Sequence, residues 1–225
     1  IVIAAAGNIQ IDQIIAEVDK SFSKLKGEFE QVFPPLPVIN SGTVLKSKDT
    51  EQVHLCIGTR GFNRKHEDKY AVFVLDSILG GSVSSRLFQE LREERGLVYV
   101  TGSSHSAFKD TGIFSIYAGT SLKNYEEVVK LIQKEVKRLY TETVSDLELN
   151  RAKEQLKGNL LLSLESTSNR MSRLAKVELY QDRLLTPEES VAKVEAVTSE
   201  DVLRVAGELF GAEKSVITAV GPFTK

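Results

Sequence analysis

Between Gln52 and Gly58 polar and apolar residues alternate, and that alternation commits the segment to a strand. Val53, Leu55 and Ile57 turn to one side and Gln52, His54 and Cys56 to the other. Residues 98–107 and 113–119 read as two further strands, joined through the turn residues Lys109-Asp110-Thr111-Gly112. Together with the strand at 50–58 they predict one antiparallel sheet.

Helices supply the cover that such a sheet needs. One is predicted at 67–79 and another at 84–95, the second stopped by Gly96. The chain turns strongly helical after Asn124, and Ser145-Asp146-Leu147-Glu148 is a capping box that opens a long helix. Its stripe of Ala152, Leu156, Leu160, Leu164, Met171, Leu174, Ala175 and Leu179 is expected to face a core. Thr186-Pro187-Glu188-Glu189 and Thr198-Ser199-Glu200-Asp201 start two more helices, Gly211 ends the last, and Ser215–Val220 is a closing strand. Alternating strands and one-sided helices predict an α+β fold: a mainly antiparallel sheet with helices packed on one face.

The chain opens with an apolar strand at 2–6, a Gly7-Asn8 turn, and a helix carrying Ile11, Ile14, Ile15, Val18, Phe22 and Leu25 at helical spacing. Periodicity fails from Gly27 to Gly42, where Pro34, Pro35 and Pro37 enforce an extended path. IVIAAAGNI at 1–9 resembles SVITAVGPF at 215–223, as expected if a longer parent contains two similar halves. Residues 1–26 are then the tail of a preceding N-terminal half, 27–42 an interdomain linker, and 43–225 the second domain. A start at Ile1, inside a hydrophobic strand, fits a fragment of something longer.

With 225 residues, 41% apolar and 27% charged, the chain can bury a substantial core. Its 29 basic and 31 acidic residues are intermixed, so no basic field points to nucleic acid. No apolar run approaches the roughly 20 residues that cross a bilayer, and the start lacks the basic region of a secretion signal. A cytoplasmic protein without nucleic-acid or membrane partners is the expectation. Cys56 is the one cysteine and has no internal disulfide partner, so it reads as a small buried or half-buried strand residue.

Residues 79–99 read LGGSVSSRLFQELREERGLVY: a glycine turn, a helix capped near Ser82 or Ser84, a glycine stop and a strand. This string resembles the second half of the M16 zinc metallopeptidases, the pitrilysin/insulinase and mitochondrial processing peptidase-like group. TEQVHLCIG (50–58), DTGIFSIYAGT (110–120) and TSEDVLRVAGELF (198–210) extend the resemblance over nearly the whole chain.

The resemblance implies one half of a clamshell that closes on a zinc-bearing N-terminal half around a peptide or unfolded polypeptide, alone or within a homo- or heterodimer. It places the zinc of the full-length enzyme on an H-x-x-E-H motif in that other half. His54, His66 and His105 stand 12 and 39 residues apart and none opens such a motif, so this chain is read as holding no metal and cutting nothing by itself. The resemblance further implies that Arg92 and Tyr99, seven residues apart across the Gly96 stop, are the pair that holds the substrate backbone near the scissile bond. Both side chains donate hydrogen bonds suited to a carbonyl or oxyanion. The plainer alternative is that Arg92 pairs with Glu93 or another nearby acid while Tyr99 merely packs.

The alternative function is a noncatalytic scaffolding or binding subunit of an M16-type complex, and a third is a plain α+β interaction domain. Gly80-Gly81 lacks the Lys-Ser/Thr of a P-loop and is expected to be a turn rather than a phosphate cradle. It is also shorter than the glycine-rich loop that the resemblance would give a noncatalytic processing-peptidase subunit. Tyr99, Thr101, Ser103 and His105 are expected to share one face of their strand, and Ser115 and Tyr117 the polar face of the next. These polar faces are expected to line a peptide chamber and permit broad substrate use, with His54 and His105 on them.

Overall fold

The computed structural model describes residues 1–25, 27, 35–180, 183–211 and 215–224. In chain order the elements are α1 (Ile11–Phe22), β1 (Gly42–Ser47), β2 (Val53–Gly61), α2 (Lys69–Leu79), a π-helical segment (Phe88–Glu94), β3 (Val98–Ala107), β4 (Gly112–Thr120), α3 (Tyr125–Thr141), α4 (Asp146–Ser163), α5 (Thr167–Tyr180), α6 (Pro187–Glu195), α7 (Ser199–Phe210) and β5 (Val216–Gly221). They fall into two compact units, one of residues 1–36 with 161–184 and one of residues 37–160 with 185–225.

The larger unit is the predicted α+β fold. Among the described residues five strands lie in the order β1-β5-β2-β4-β3, with only the β1–β5 pair parallel. Alternation along the strands sets one face inward: Val53, Leu55 and Ile57 of β2 and Phe114, Ile116 and Ala118 of β4 are buried. Helices supply the opposing surface, with Val72 and Leu75 of α2, Val128 and Ile132 of α3, and Val202 and Val205 of α7 all buried.

The predicted helix starts form as capped termini. At α6 the Glu189 N–H donates to Thr186 Oγ1 at 3.1 Å, while the Glu189 carboxylate accepts from the Thr186 N–H at 2.7 Å. Thr198 and Asp201 repeat the arrangement at α7, and Glu148 N–H donates to Ser145 Oγ at 3.3 Å ahead of α4. Each box satisfies amide groups that a helix start leaves without partners.

The smaller unit departs from the sequence reading. Residues 2–6 form no strand, because no neighbouring strand among the described residues pairs with them. The helix from Ile11 forms, yet Ile11 and Ile15 remain 73% and 57% exposed. The long stripe breaks between α4 and α5: Ala152 is buried, but Met171, Leu174 and Leu179 are exposed. Helical spacing reveals an apolar side, not whether a partner covers it. Of the expected linker at 27–42, residues 28–34 lie outside the described residues, and its end, from Gly42, is already β1.

Candidate functional site

The glycine turn positions everything that follows it. Gly80 and Gly81 N–H groups both donate to the Asp76 carbonyl, at 3.0 and 2.8 Å, folding the chain back at the end of α2. A Cβ on Gly80 would run into the backbone of Gly102 and Ser103, so the turn packs directly against β3. This is the tight-turn role, with close approach to a strand in place of an anion. Ser103 Oγ donates to Asp76 Oδ1 at 2.5 Å, and burial pushes the Asp76 carboxyl up from its ordinary range despite that bond.

Beyond the turn, Arg86 is fixed by a forked ion pair, its Nε and Nη2 donating to Glu148 at 2.8 and 3.1 Å. Burial raises the Glu148 pKa, but the hydrogen bond and charge of Arg86, with Ser145, outweigh it and hold the carboxyl below its ordinary value. The helix then widens into the π-helical segment Phe88–Glu94, which ends as Gly96 takes a φ of +60°.

Arg92 lies in that widened segment. It is exposed, its guanidinium rests over the Phe88 ring at 5.0 Å, and it has no acidic partner among the described residues. The neighbouring Arg95 does have one, pairing with Glu90 at 2.8 Å. Among the described residues, the ion pair with Glu93 or another acid that the plainer expectation named does not form.

Tyr99 sits at a second irregularity. Val98 pairs with Thr120 and Val100 with Gly119, so Tyr99 is the extra residue of a β-bulge. It is 63% exposed, and Val100 beside it is also exposed.

The bulge also corrects the expected faces of β3. Ser103 is bonded to Asp76 of α2, and His105 Nε2 accepts from the Phe62 N–H at 3.1 Å while its ring packs on Phe114, so both turn toward the helix side. Burial lowers the His105 pKa. Ser104 instead meets Ser115 at 3.1 Å on the open face. Tyr117 and His54 are on the open face as expected, their Oη and Nδ1 2.6 Å apart. Cys56, half-buried between register partners Tyr117 and Thr218, matches its modest expected role.

The histidines do not converge on a metal. His66 stacks on Phe62 and lies, with Asp68 and Glu208, in a group whose ligand atoms fall within 4.8 Å. Arg204 already fills that group, donating to both Asp68 oxygens and to Glu208 at 3.1 Å. A guanidinium thus occupies the place a cation would take in this group.

The sequence model described as "Peptidase M16 inactive domain" matches residues 1–156. The chain is 39% identical over 210 residues to the uncharacterized zinc protease YmxG of Bacillus subtilis, covering 93% of this chain and 51% of that protein. It is 36% identical over 230 residues to an uncharacterized zinc protease of Streptomyces coelicolor, covering 99% and 50%. Among solved structures, a peptidase M16 inactive domain from Pseudomonas fluorescens superposes with a TM-score of 0.86 at 24% identity, over 97% of this chain and 52% of that one. The fold and these matches define a C-terminal domain of a zinc protease-like protein. The chain belongs to the M16 peptidase family, as its inactive-domain half, and spans about half the length of the curated relatives it matches.

Proposed function

We propose that this chain is the substrate-enclosing half of a zinc metalloendopeptidase, with Arg92 and Tyr99 holding the peptide backbone and the zinc carried by an N-terminal half. One observation carries this reading. The two side chains stand exposed at two successive backbone irregularities, the π-helical segment and the β-bulge, and Arg92 has no acidic partner among the described residues. Irregularities of both kinds re-aim side chains and recur beside functional sites. The zinc, held elsewhere, would polarise the scissile carbonyl and activate water. What this chain contributes is hydrogen-bond donors at the same carbonyl and a polar sheet face behind the peptide. Relatives named zinc proteases, about twice as long as this chain, support the assignment.

The upstream sequence of the parent gene tests it. An H-x-x-E-H motif there is expected; an upstream half without those ligands would make the protein a noncatalytic scaffolding or binding subunit instead.

A further inference from the structure

The open sheet face carries a feature that main-chain holding does not require. His54 Nδ1 and Tyr117 Oη lie 2.6 Å apart, the ring planes differ by 18° and the centroids are 6.1 Å apart. A hydrogen bond between ring edges at that angle places the imidazole and phenol side by side, so together they form one nearly flat plate spanning β2 and β4. Glycines stand opposite both rings in the register. The register partner of His54 on β4 is Gly119, and that of Tyr117 on β3 is Gly102. With no side chain at Gly119, the Tyr117 hydroxyl lies 3.7 Å from where a Cβ would stand. Gly119 is also the residue that the Tyr99 bulge faces, so plate and bulge meet at one point. His54 is exposed and Tyr117 is 39% exposed.

A flat pair of exposed rings offers face area and little depth, and aromatic groups gain beyond simple apolar burial when they meet ring to ring. We propose that the His54–Tyr117 plate is a substrate-selecting surface that stacks on an aromatic side chain of the bound peptide, next to the residue whose backbone Tyr99 holds. The proposal rests on the reading of Tyr99 and the open face as peptide-facing. It adds a preference for planar side chains to that site.

Binding and cleavage are measured separately on the complete protein, this chain joined to its natural N-terminal half. Fluorescein-labelled decapeptides of Ala, Gly and Lys carry a single Phe, moved along the sequence, or cyclohexylalanine, which is similarly bulky and apolar but has no π face. Affinities are read by anisotropy after chelation of the metal, which prevents turnover. At one peptide position the Phe form should bind about 3- to 10-fold more tightly, the ratio expected for one aromatic pair. That ratio should fall to about one in Tyr117→Val and in His54→Val, and largely persist in Tyr117→Phe, which keeps the ring. Thermal melts establish which variants are folded, and His54→Val with Tyr117→Phe decide the matter if Tyr117→Val is not. A wild-type ratio near one at every position, or a ratio unchanged in the folded valine variants, overturns the proposal. Cleavage after zinc is restored tests the other reading: planar preference without cleavage sinks the peptidase assignment and leaves the plate standing, whereas cleavage without preference does the reverse.

Discussion

Ser103 on β3 donates its hydroxyl to the Asp76 carboxylate on α2 at 2.5 Å, and the same hydroxyl also reaches the Asp76 carbonyl at 3.2 Å. This double contact ties the end of the helix before the glycine turn to the strand that begins at the Tyr99 bulge. Removing the donor with Ser103→Ala should cost about 1–3 kcal/mol, as a half-buried carboxylate is left without it. Urea denaturation of the complete protein measures the loss.

The pH dependence of that contact has a definite sign. Burial raises the Asp76 pKa above its ordinary 3.8, so folding favours the protonated acid. A raised carboxyl contributes stability that is present in full below its ordinary pKa and lost as pH climbs through the folded value. Wild type should therefore lose stability relative to Asp76→Asn as pH rises from about 4 toward neutrality. Parallel urea titrations across that range check it, and a difference that stays flat would show that Asp76 does not titrate in this window.

Gly80→Ala should destabilise by about 1–3 kcal/mol, because its methyl group would enter the Gly102–Ser103 backbone. Gly158→Ala in α4 is the control. Nothing lies within 4 Å of that Cβ, and alanine should stabilise by a few tenths to about 1 kcal/mol. Thermal melts of the two variants should move in opposite directions.

Arg86→Ala should cost about 2 kcal/mol, since it strands Glu148. The figure sits below that for a fully buried pair because the Glu148 side chain is 35% exposed and water screens it. Arg86→Met with Glu148→Leu should cost less than Arg86→Ala alone. Glu148 is held below its ordinary pKa, so its stabilisation should be present at neutral pH and lost on acidification. In Arg86→Ala that loss on acidification should shrink.

Much of this architecture is legible in sequence because local rules govern it. Strand alternation separates Leu55 from His54, and the capping pairs at Ser145, Thr186 and Thr198 announce their helices. Where backbone regularity lapses, legibility stops. One inserted residue at Tyr99 inverts the face assignment downstream, sending Ser103 and His105 inward although period-two counting places them with the chamber. The π-helical segment around Arg92 leaves no compositional trace. Strand β1 hides behind a proline-rich stretch, and it forms by pairing with β5, whose register partners lie 174 residues later, Gly42 with Val216 through Ser47 with Gly221.

The central claim is that Arg92 and Tyr99 serve turnover rather than folding. Peptide turnover, thermal midpoint and zinc content should be measured together for Arg92→Ala and Tyr99→Phe in the complete protein. Losing one preorganised donor at a reacting carbonyl costs about a hundredfold or more in rate, so turnover should fall by that order while midpoint and zinc stay unchanged. Near-normal turnover in both variants, with stability intact, would contradict the assignment and reduce this domain to an enclosing wall.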